Sequence, residues 1–463
     1  MWQVRKPAKG ASAEAAEDKV SSLDEHRLVT TGDAGAFSKR DKHTDLKVEL
    51  HQRLLDLINL QALEKMSREQ IEAEVGDIVE EELSKQNHAL NHAERKQLVG
   101  DVLDELLGLG PLEPLLKDPT ITDILVNGYS RVFVERYGVL EPSPVRFKDE
   151  RHLVRIIQKI VSAVGRRIDE SSPLVDARLA DGSRVNAVVP PLSLDGSSLS
   201  IRKFAKVPIS MERLIEIGSV PVQMAEVLKA VVASRRNVLI SGGTGSGKTT
   251  MLNAMSAFID GRERIVTIED SAELQLQQEH VVRLETRPPN IEGKGEISQR
   301  DLVKNALRMR PDRIILGEVR SGEAFDMLQA MNTGHEGSMT TVHANTPRDS
   351  LSRIEQMIGM SGIDIPARSS RAQIATAMHV VIQVARLADG RRKVVSLSEL
   401  TGMEGEVVQM QEIFRYRQTG MSPEGQVIGK FEATGIRPRF VEQVISHGGS
   451  LSADLFRPDA KFD

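Results

Sequence analysis

One glycine-rich stretch, GGTGSGKT at 242–249, limits the fold of this chain more than any other feature of its sequence. An apolar run at 237–240 precedes it and a helix-forming run at 250–258 follows, which is the context that a phosphate-binding loop requires. Glycines let successive backbone N–H groups turn towards an anion at the positive end of a helix. The stretch therefore predicts a strand, a phosphate loop and a helix. The alternative interpretation is a glycine-rich turn with a solvated lysine.

The loop also assigns roles to its polar side chains. Lys248 is expected to reach the β- and γ-phosphates of a nucleotide, and the hydroxyl of Thr249 is expected to bind Mg²⁺. The residues expected to contact the nucleotide are Gly243, Thr244, Gly245, Ser246, Gly247, Lys248, Thr249 and Thr250. ATP and Mg²⁺ are therefore the expected cofactors.

A second apolar run, at 313–316, leads into Gly317 and Glu318. An acid at the end of a strand beside a phosphate loop can organise the Mg²⁺ shell through water, or polarise the water that attacks the phosphate. We therefore expect Glu318 to act as a metal and catalytic residue. A solvated glutamate at the end of a strand is the other interpretation.

Two further polar clusters adjoin apolar runs. Glu269, Asp270 and Glu273 follow the run at 265–268, at the sheet edge where open α/β folds bind ligands. His335 and His343 bracket another strand, and His343, at its carboxyl end, could sense the γ-phosphate. Taken alone, each histidine is more often a hydrogen-bonded structural residue than a catalytic one. Their spacing matches no usual pattern of metal ligands.

Apolar periodicity divides the chain into segments. Spacings of three and four residues predict helices, and spacings of two predict strands. Short apolar runs that alternate with helical segments predict parallel βαβ units in the second half. The runs at 380–387 and 391–397, around the turn Asp389-Gly390, predict an antiparallel hairpin added to that sheet. The segments are a disordered arm (1–44), a helical bundle (45–110), an α+β domain (116–206), a hinge linker (207–222) and an α/β domain with C-terminal antiparallel strands and a tail (223–463).

Composition excludes several classes of protein. The chain has 463 residues and Cys 0, so disulfide scaffolds, thiol catalysis and thiolate metal sites are absent. No apolar stretch approaches the roughly 20 residues that a membrane-spanning helix needs, and the first residues lack the apolar core of a signal peptide. A net charge of -5 and aromatic residues at 3% give no general signature of nucleic-acid binding.

The order of the motifs resembles that of the secretion ATPases of type II secretion, type IV pili and type IV secretion: phosphate loop, acidic box, Leu-Gly-Glu strand, histidine box. Three segments, at 287–296, 308–313 and 414–420, look like the tight-adherence (Tad) pilus branch of that superfamily. The resemblance spans roughly 45–445. It implies a RecA-like P-loop ATPase core of α/β class at the C-terminal end, an N-terminal α+β domain and an N-terminal helical bundle.

The resemblance also implies assembly and site roles. It implies a homo-hexameric cytoplasmic ring, peripheral to the inner membrane, that docks onto pilus platform proteins. The composition adds the expectation that nucleic acid is not a partner. By position, Lys248 and Thr249 match the Walker A residues, Glu318 the Walker B glutamate, Glu273 the acidic-box glutamate that activates water, and His343 the second histidine of the histidine box. The further candidates are Glu269, His335, Arg178, Arg184 and Arg202, with Arg308, Arg310 and Arg320 in second place.

Three functions are compatible with these motifs. The first is a mechanochemical ATPase that powers a pilus, in extension, in retraction or in both directions. The second is a nucleic-acid motor, which would require steeply salt-dependent DNA binding. The third is a scaffold that binds nucleotide only to assemble, which the complete acidic and histidine boxes disfavour.

Overall fold

The computed structural model describes residues 68–85, 92–136, 138–204, 208–289, 293–460 and 462. The predicted arm at 1–44 and the first part of the predicted helical bundle lie outside the described residues. The chain divides into two compact units. One is Met1–Glu113 with Phe147–Asp149, and the other is Pro114–Arg146 with Glu150–Asp463.

The described part of the first unit is helical. Helices α1 (Arg68–Lys85) and α2 (His92–Leu106) pack against each other, and a short 3-10 helix (Gly110–Leu112) follows. The apolar residues that meet between them recur at three- and four-residue steps, as in an amphipathic helix: Ile71, Val75, Leu98, Val102 and Leu103. The described part of the predicted bundle is thus helical.

The second unit begins at Pro114, in the short helix α3 (Glu113–Lys117), and continues with a six-stranded antiparallel sheet. In spatial order β3-β2-β1-β6-β5-β4, its strands are β1 (Ile121–Asn127), β2 (Val132–Arg136), β3 (Val139–Pro142), β4 (Leu174–Arg178), β5 (Arg184–Val188) and β6 (Ser198–Arg202). Helix α4 (Glu150–Ala163) packs against this sheet and buries one apolar face that includes Leu153, Ile156 and Ile160. This is the α+β arrangement that period-two runs and turn signals predict.

A nine-stranded sheet forms the rest of the second unit, in the order β15-β14-β13-β12-β7-β11-β10-β8-β9. Its strands are β7 (Val238–Gly242), β8 (Ile265–Glu269), β9 (Val281–Glu285), β10 (Arg313–Leu316), β11 (Met339–Val342), β12 (Val380–Arg386), β13 (Arg392–Glu404), β14 (Val407–Met421) and β15 (Val427–Ala433). The helices around it are α5 (Met211–Glu216), α6 (Val222–Ala233), α7 (Lys248–Ser256), α8 (Gln299–Ala306), α9 (Glu323–Asn332), α10 (Pro347–Gly359), α11 (Ala367–Ala377) and α12 (Phe440–Ser446).

The strands from β12 to β9 in this order run parallel, and both faces of the sheet are buried. Val238 and Ile240 belong to the core on one face, with α6, α7 and α12, whereas Leu239 belongs to the core on the other, with α8, α9, α10 and α11. Such alternation between two buried faces is the reason that the strand sequences read as continuous apolar runs. The arrangement is the α/β core that the sequence predicts.

Two stretches differ from expectation. The predicted hinge linker contains helix α5, because Ser210 accepts a hydrogen bond from the backbone N–H of Arg213 and caps a short amphipathic turn. The predicted hairpin around 389–390 is present, but β13 continues to Glu404 and pairs with β14, which pairs in turn with β15. Apolar periodicity does not predict β14 and β15, because β-bulges interrupt the alternation of buried and exposed residues along them.

None of the described helices combines the length and the apolar character needed to cross a bilayer.

Candidate active site

The phosphate loop joins a buried strand to a helix, as its sequence predicts. Strand β7 ends at Gly242 and helix α7 begins at Lys248. Gly245 and Gly247 have φ values of +68° and +99°, a region that is strained for residues with a side chain. The other residues expected to contact nucleotide lie in the loop or in the first turn of α7: Gly243, Thr244, Ser246, Thr249 and Thr250.

Lys248 is buried at the base of the loop. Its Nζ donates to the carbonyl oxygen of Gly243 at 3.0 Å and lies 3.3 Å from Nε2 and 3.4 Å from Nδ1 of His343. Burial lowers the pKa of Lys248, the carboxylate of Glu318 acts in the opposite direction, and the charges of Arg202 and Arg320 lower the pKa further. A dianionic phosphate at this position would relieve that unfavourable environment.

Glu318, two residues beyond β10, joins the cluster from the neighbouring strand end. Its Oε1 lies 3.0 Å from Nε2 of His343 and its Oε2 accepts from Nη2 of Arg320 at 2.8 Å. Since strands β7, β11 and β10 are parallel neighbours, their carboxyl ends bring Lys248, His343 and Glu318 to one edge of the sheet. The structure thus unites these three predicted site residues.

The acidic loop follows β8 at the same edge. Glu269 is buried, and its Oε2 accepts from the backbone N–H groups of Glu273 and Leu274 at 2.6 and 2.8 Å. Burial raises the pKa of Glu269, and the two hydrogen bonds oppose that effect. Glu269 thus holds the backbone of the acidic loop. The carboxylate of Glu273 is half-buried and bonds to an arginine instead.

That arginine belongs to the six-stranded sheet. Arg184, the first residue of β5, donates through Nη1 to Oε1 of Glu273 at 2.5 Å. Arg178, the last residue of β4, donates to both carboxylate oxygens of Glu285 and to the hydroxyl of Ser271. Two of the predicted arginines therefore reach across to the acidic side of the larger sheet, with guanidinium groups suited to charge on phosphoryl oxygens.

Arg202 is the third predicted arginine. It ends β6 opposite Asp123, the two residues being paired across β6 and β1, and its charge is among those that lower the pKa of Lys248. Burial raises the pKa of Asp123, and Arg202 counteracts that shift. Arg202 consequently contributes positive potential at the phosphate loop.

Three candidates lie at the opposite edge of the larger sheet. His335 precedes β11, and Arg308 and Arg310 precede β10, so they adjoin the amino ends of strands whose carboxyl ends carry the site. The Nδ1 atom of His335 lies 3.3 Å from the carbonyl oxygen of Ala330, in helix α9. The structure does not bring these three residues to Lys248, and their position does not support catalysis within one chain.

The residues present fit a magnesium ion that arrives with nucleotide. Among the described residues, no group of three or more acids and histidines forms a metal cage. Mg²⁺ needs none, because it keeps several waters and is bound through one or two protein oxygens together with phosphates. Thr249 supplies a hydroxyl in the first turn of α7, and Glu318, whose oxygens contact His343 and Arg320, is placed to act through water.

Sequence reasoning missed Arg392. Its Nε donates to the carbonyl oxygen of Gly245 in the phosphate loop at 2.8 Å. The sequence places Arg392 just after the predicted turn at 389–390, but it does not show which strand the hairpin pairs with in the sheet. Arg353, on α10, was also missed, and its charge contributes to the lowered pKa of His343.

Fold and site together define a P-loop ATPase with a RecA-like core. The phosphate-loop strand lies between β12 and β11, the acid-bearing strand β10 comes next, and the motifs meet at the carboxyl edge. The family described as "Type II/IV secretion system protein" matches residues 105–430, and the chain belongs to this family. It is a secretion ATPase and hydrolyses ATP.

Relatives are found in several secretion and transfer systems. A protein of Mycobacterium tuberculosis named for conjugal transfer is 41% identical over 309 residues, which cover 65% of this chain and 87% of the relative. Conjugal transfer protein TrbB of Rhizobium radiobacter is 32% identical over 288 residues, 60% of this chain and 83% of TrbB. The crystal structure of the VirB11 ATPase of Brucella suis type IV secretion, in complex with sulphate, is 30% identical and covers 62% of this chain and 92% of VirB11, with a TM-score of 0.34.

Proposed function

We propose that this secretion ATPase works as a homo-hexameric ring that powers assembly of a Tad or type IV pilus through inner-membrane platform proteins, with retraction as a further output. The observation that carries the motor proposal is the pair Arg184 and Glu273, which joins the two sheets at the nucleotide edge. Because a guanidinium from one sheet contacts the acidic loop of the other, a change at the phosphate site would change how the two sheets sit together.

The chemistry follows from the charges around Lys248. Water attacks the γ-phosphorus in line, and Lys248 with an arginine neutralises charge that spreads over the phosphoryl oxygens of a loose transition state. When bound, Mg²⁺ would be held by Thr249 and, through water, by Glu318, and it would supply further positive charge for that neutralisation. Among the residues of this chain, Glu318 would orient water at this edge of the sheet, next to His343 and Arg320.

Glu273 is the proposed base that orients the attacking water. In the structure its carboxylate is occupied by the ion pair with Arg184. Phosphate oxygens compete for the same guanidinium, so nucleotide would draw Arg184 from Glu273 and free the carboxylate for water. The arginine thus links occupancy of the site to activation of the base.

The pilus assignment rests on sequence segments outside the site, at 287–296, 308–313 and 414–420. It places the ring in the cytoplasm, held at the inner membrane through platform proteins. We expect that deletion of the gene removes surface pili, that the wild-type gene restores them, and that a Lys248→Ala gene does not. Normal piliation without the gene would contradict the pilus assignment and leave the ATPase assignment intact.

The ring proposal is tested by steady-state ATP hydrolysis across protein concentration, together with mass from light scattering, with and without Mg²⁺ and nucleotide. Turnover per chain that rises as hexamers form supports sites completed between subunits. A monomer that turns over ATP at the full rate contradicts the ring motor, because catalysis would then be confined to one chain.

A second candidate is an ATPase of DNA transfer, because the M. tuberculosis and R. radiobacter relatives carry conjugal-transfer names. If the chain itself handles DNA, binding should weaken steeply with salt and DNA should stimulate turnover. If both effects are absent, the chain acts on protein partners, as the pilus proposal states.

A further inference from the structure

An arginine of the hairpin formed by β12 and β13 contacts the phosphate loop. Arg392 begins strand β13, directly after the turn that joins it to β12. Its Nε donates to the carbonyl oxygen of Gly245 at 2.8 Å. A Cβ atom added at Gly247 would lie 3.5 Å from Cδ of Arg392, so the aliphatic part of the side chain also lies against the loop.

The bond to Gly245 bears on phosphate binding through peptide geometry. In a planar trans peptide the C=O and the following N–H point in opposite directions. A donor that holds the carbonyl of Gly245 outward therefore turns the N–H of Ser246 towards the interior of the loop, where phosphate oxygens would bind. Within the loop that N–H is only weakly engaged, 3.4 Å from the carbonyl oxygen of Gly243. Its direction thus depends on what holds the Gly245 carbonyl.

Contacts with the segment between the two sheets fix the backbone of Arg392. Its carbonyl oxygen accepts from the hydroxyl of Ser219 at 2.7 Å, and the N–H of Val394 donates to the carbonyl of Ser219 at 3.0 Å. Lys393, between them, is buried and donates to the carbonyl of Gly218 at 2.5 Å. Because the strand is held at Arg392 and at the two residues that follow it, the guanidinium extends from a fixed backbone.

The neighbouring charges agree with this placement. Asp123, at the start of β1, lies within electrostatic range of both Arg202 and Arg392. Arg386, which pairs with Arg392 across the hairpin, donates to the carbonyl oxygen of Gly138 in the six-stranded sheet. Arg392 therefore lies where the phosphate loop, the segment before α6 and the smaller sheet meet.

Resting on the ATPase function proposed above, we infer that Arg392 is a positioning residue that holds the phosphate loop in its anion-binding shape through the carbonyl of Gly245. The loop binds the phosphates of ATP and ADP alike, before and after hydrolysis. Loss of Arg392 should therefore weaken the binding of both nucleotides and raise KM, and leave kcat at saturating ATP little changed. A catalytic arginine would instead lower kcat.

The test is binding of a fluorescent ADP analogue to the full chain, alongside kcat and KM for ATP. Arg392→Ala should bind ADP about tenfold more weakly, the size expected for loss of one charged hydrogen bond at a partly solvated site. Arg392→Lys should recover most of the affinity, because an ammonium can donate to the same carbonyl. Arg391→Ala is the matched control: Arg391 is the adjacent residue, but its guanidinium bonds to Asp389 and to the carbonyl of Val427.

The outcomes separate this inference from the proposed function. Weaker ADP binding by Arg392→Ala, with Arg391→Ala at the wild-type value, supports it. Unchanged ADP affinity in Arg392→Ala overturns it, with hydrolysis by the wild type intact. An equal loss in Arg391→Ala, without recovery in Arg392→Lys, also overturns it, because the hairpin as a whole would then be responsible. A wild-type chain that neither binds nor hydrolyses nucleotide overturns the proposed function, and this inference with it.

Discussion

Nε2 of His343 lies 3.0 Å from Oε1 of Glu318, and this contact determines which nitrogen of the imidazole carries the proton. A neutral histidine that donates from Nε2 to Glu318 keeps a lone pair on Nδ1, which can accept from Lys248 at 3.4 Å. Burial lowers the pKa of His343, the charge of Lys248 lowers it further, and Glu318 opposes them. The histidine is therefore a neutral bridge between the phosphate-loop lysine and the strand-end acid.

We expect His343→Asn to lower kcat about tenfold and to change the pH profile. The pKa of His343 lies below its ordinary 6.5, so the ring gains its proton only in more acidic solution and then repels Lys248. Below about pH 6.5 the kcat of the wild type should therefore decrease as His343 gains a proton, and His343→Asn should lack this part of the decrease. The measurement is kcat across pH, with His447→Asn, exposed at the end of α12, as the control. Identical acid limbs in wild type and His343→Asn would contradict this role.

Lys248→Ala should abolish turnover and retain the fold. Within the described parts of the chain its ammonium has hydrogen-bond contacts with Gly243 and His343 and no direct salt bridge, so its removal deletes the phosphate ligand without breaking an ion pair. ATP hydrolysis, circular dichroism and thermal melting together check this expectation. Lys304→Ala, an exposed lysine on α8, should change none of them. A Lys248→Ala protein that hydrolyses ATP at the wild-type rate would refute the assignment.

Arg184→Ala should separate function from stability. The pair with Glu273 has side chains that are 35% and 28% exposed, so its loss should change the free energy of unfolding by no more than about 1 kcal/mol. Loss of an arginine that neutralises transition-state charge should lower kcat by at least about 100-fold. The control is Arg167→Ala, which removes an exposed arginine that pairs with Asp169. A large loss of stability with an unchanged kcat would make the contact structural.

Strand polarity determined which site residues the sequence could predict. Lys248, Glu318 and His343 each follow an apolar strand, and parallel strands place all such positions at one edge. His335 precedes its strand, so the same reasoning assigns it to the other edge. It was a candidate because it belongs to the histidine box. The position of each residue relative to its own strand is local information, which the sequence carries.

Contacts between distant segments were not predictable in the same way. Arg184 and Glu273 are 89 positions apart and meet because two separate sheets face each other, a relation with no local signal. Arg392 reaches the phosphate loop because β12 is the neighbour of β7 in the sheet. The turn at 389–390 predicts the hairpin but not its place in the strand order, and thus not the partner of Arg392.

His379 should make stability depend on pH. Its Nδ1 accepts from the backbone N–H of Asn237 at 3.0 Å, and burial lowers its pKa to about 4. The depressed pKa means that the folded state favours the neutral imidazole of His379. The contribution of His379 to the free energy of unfolding is therefore complete above pH 6.5, its ordinary pKa, and is lost as the pH falls towards about 4. The loss should approach about 3 kcal/mol. His379→Gln, which cannot take the proton, should show a smaller decrease of melting temperature across that window. Parallel curves for the two proteins would contradict this expectation.

Glu263 should be required for stability, because it neutralises a guanidinium in the core. Arg313 is 1% exposed, and its Nε and Nη2 donate to the two carboxylate oxygens of Glu263 at 2.7 and 2.8 Å. Glu263→Gln removes the carboxylate that is hydrogen-bonded to this buried guanidinium, which should lower the free energy of unfolding by about 3 kcal/mol. The neighbouring Arg262 is 90% exposed, and Arg262→Ala should cost no more than about 0.5 kcal/mol although it too removes an ion pair. Urea midpoints of the three proteins measure the difference. Equal urea midpoints for the two variants would contradict the expectation that the ion pair of the buried Arg313 contributes more to stability than the exposed pair of Arg262.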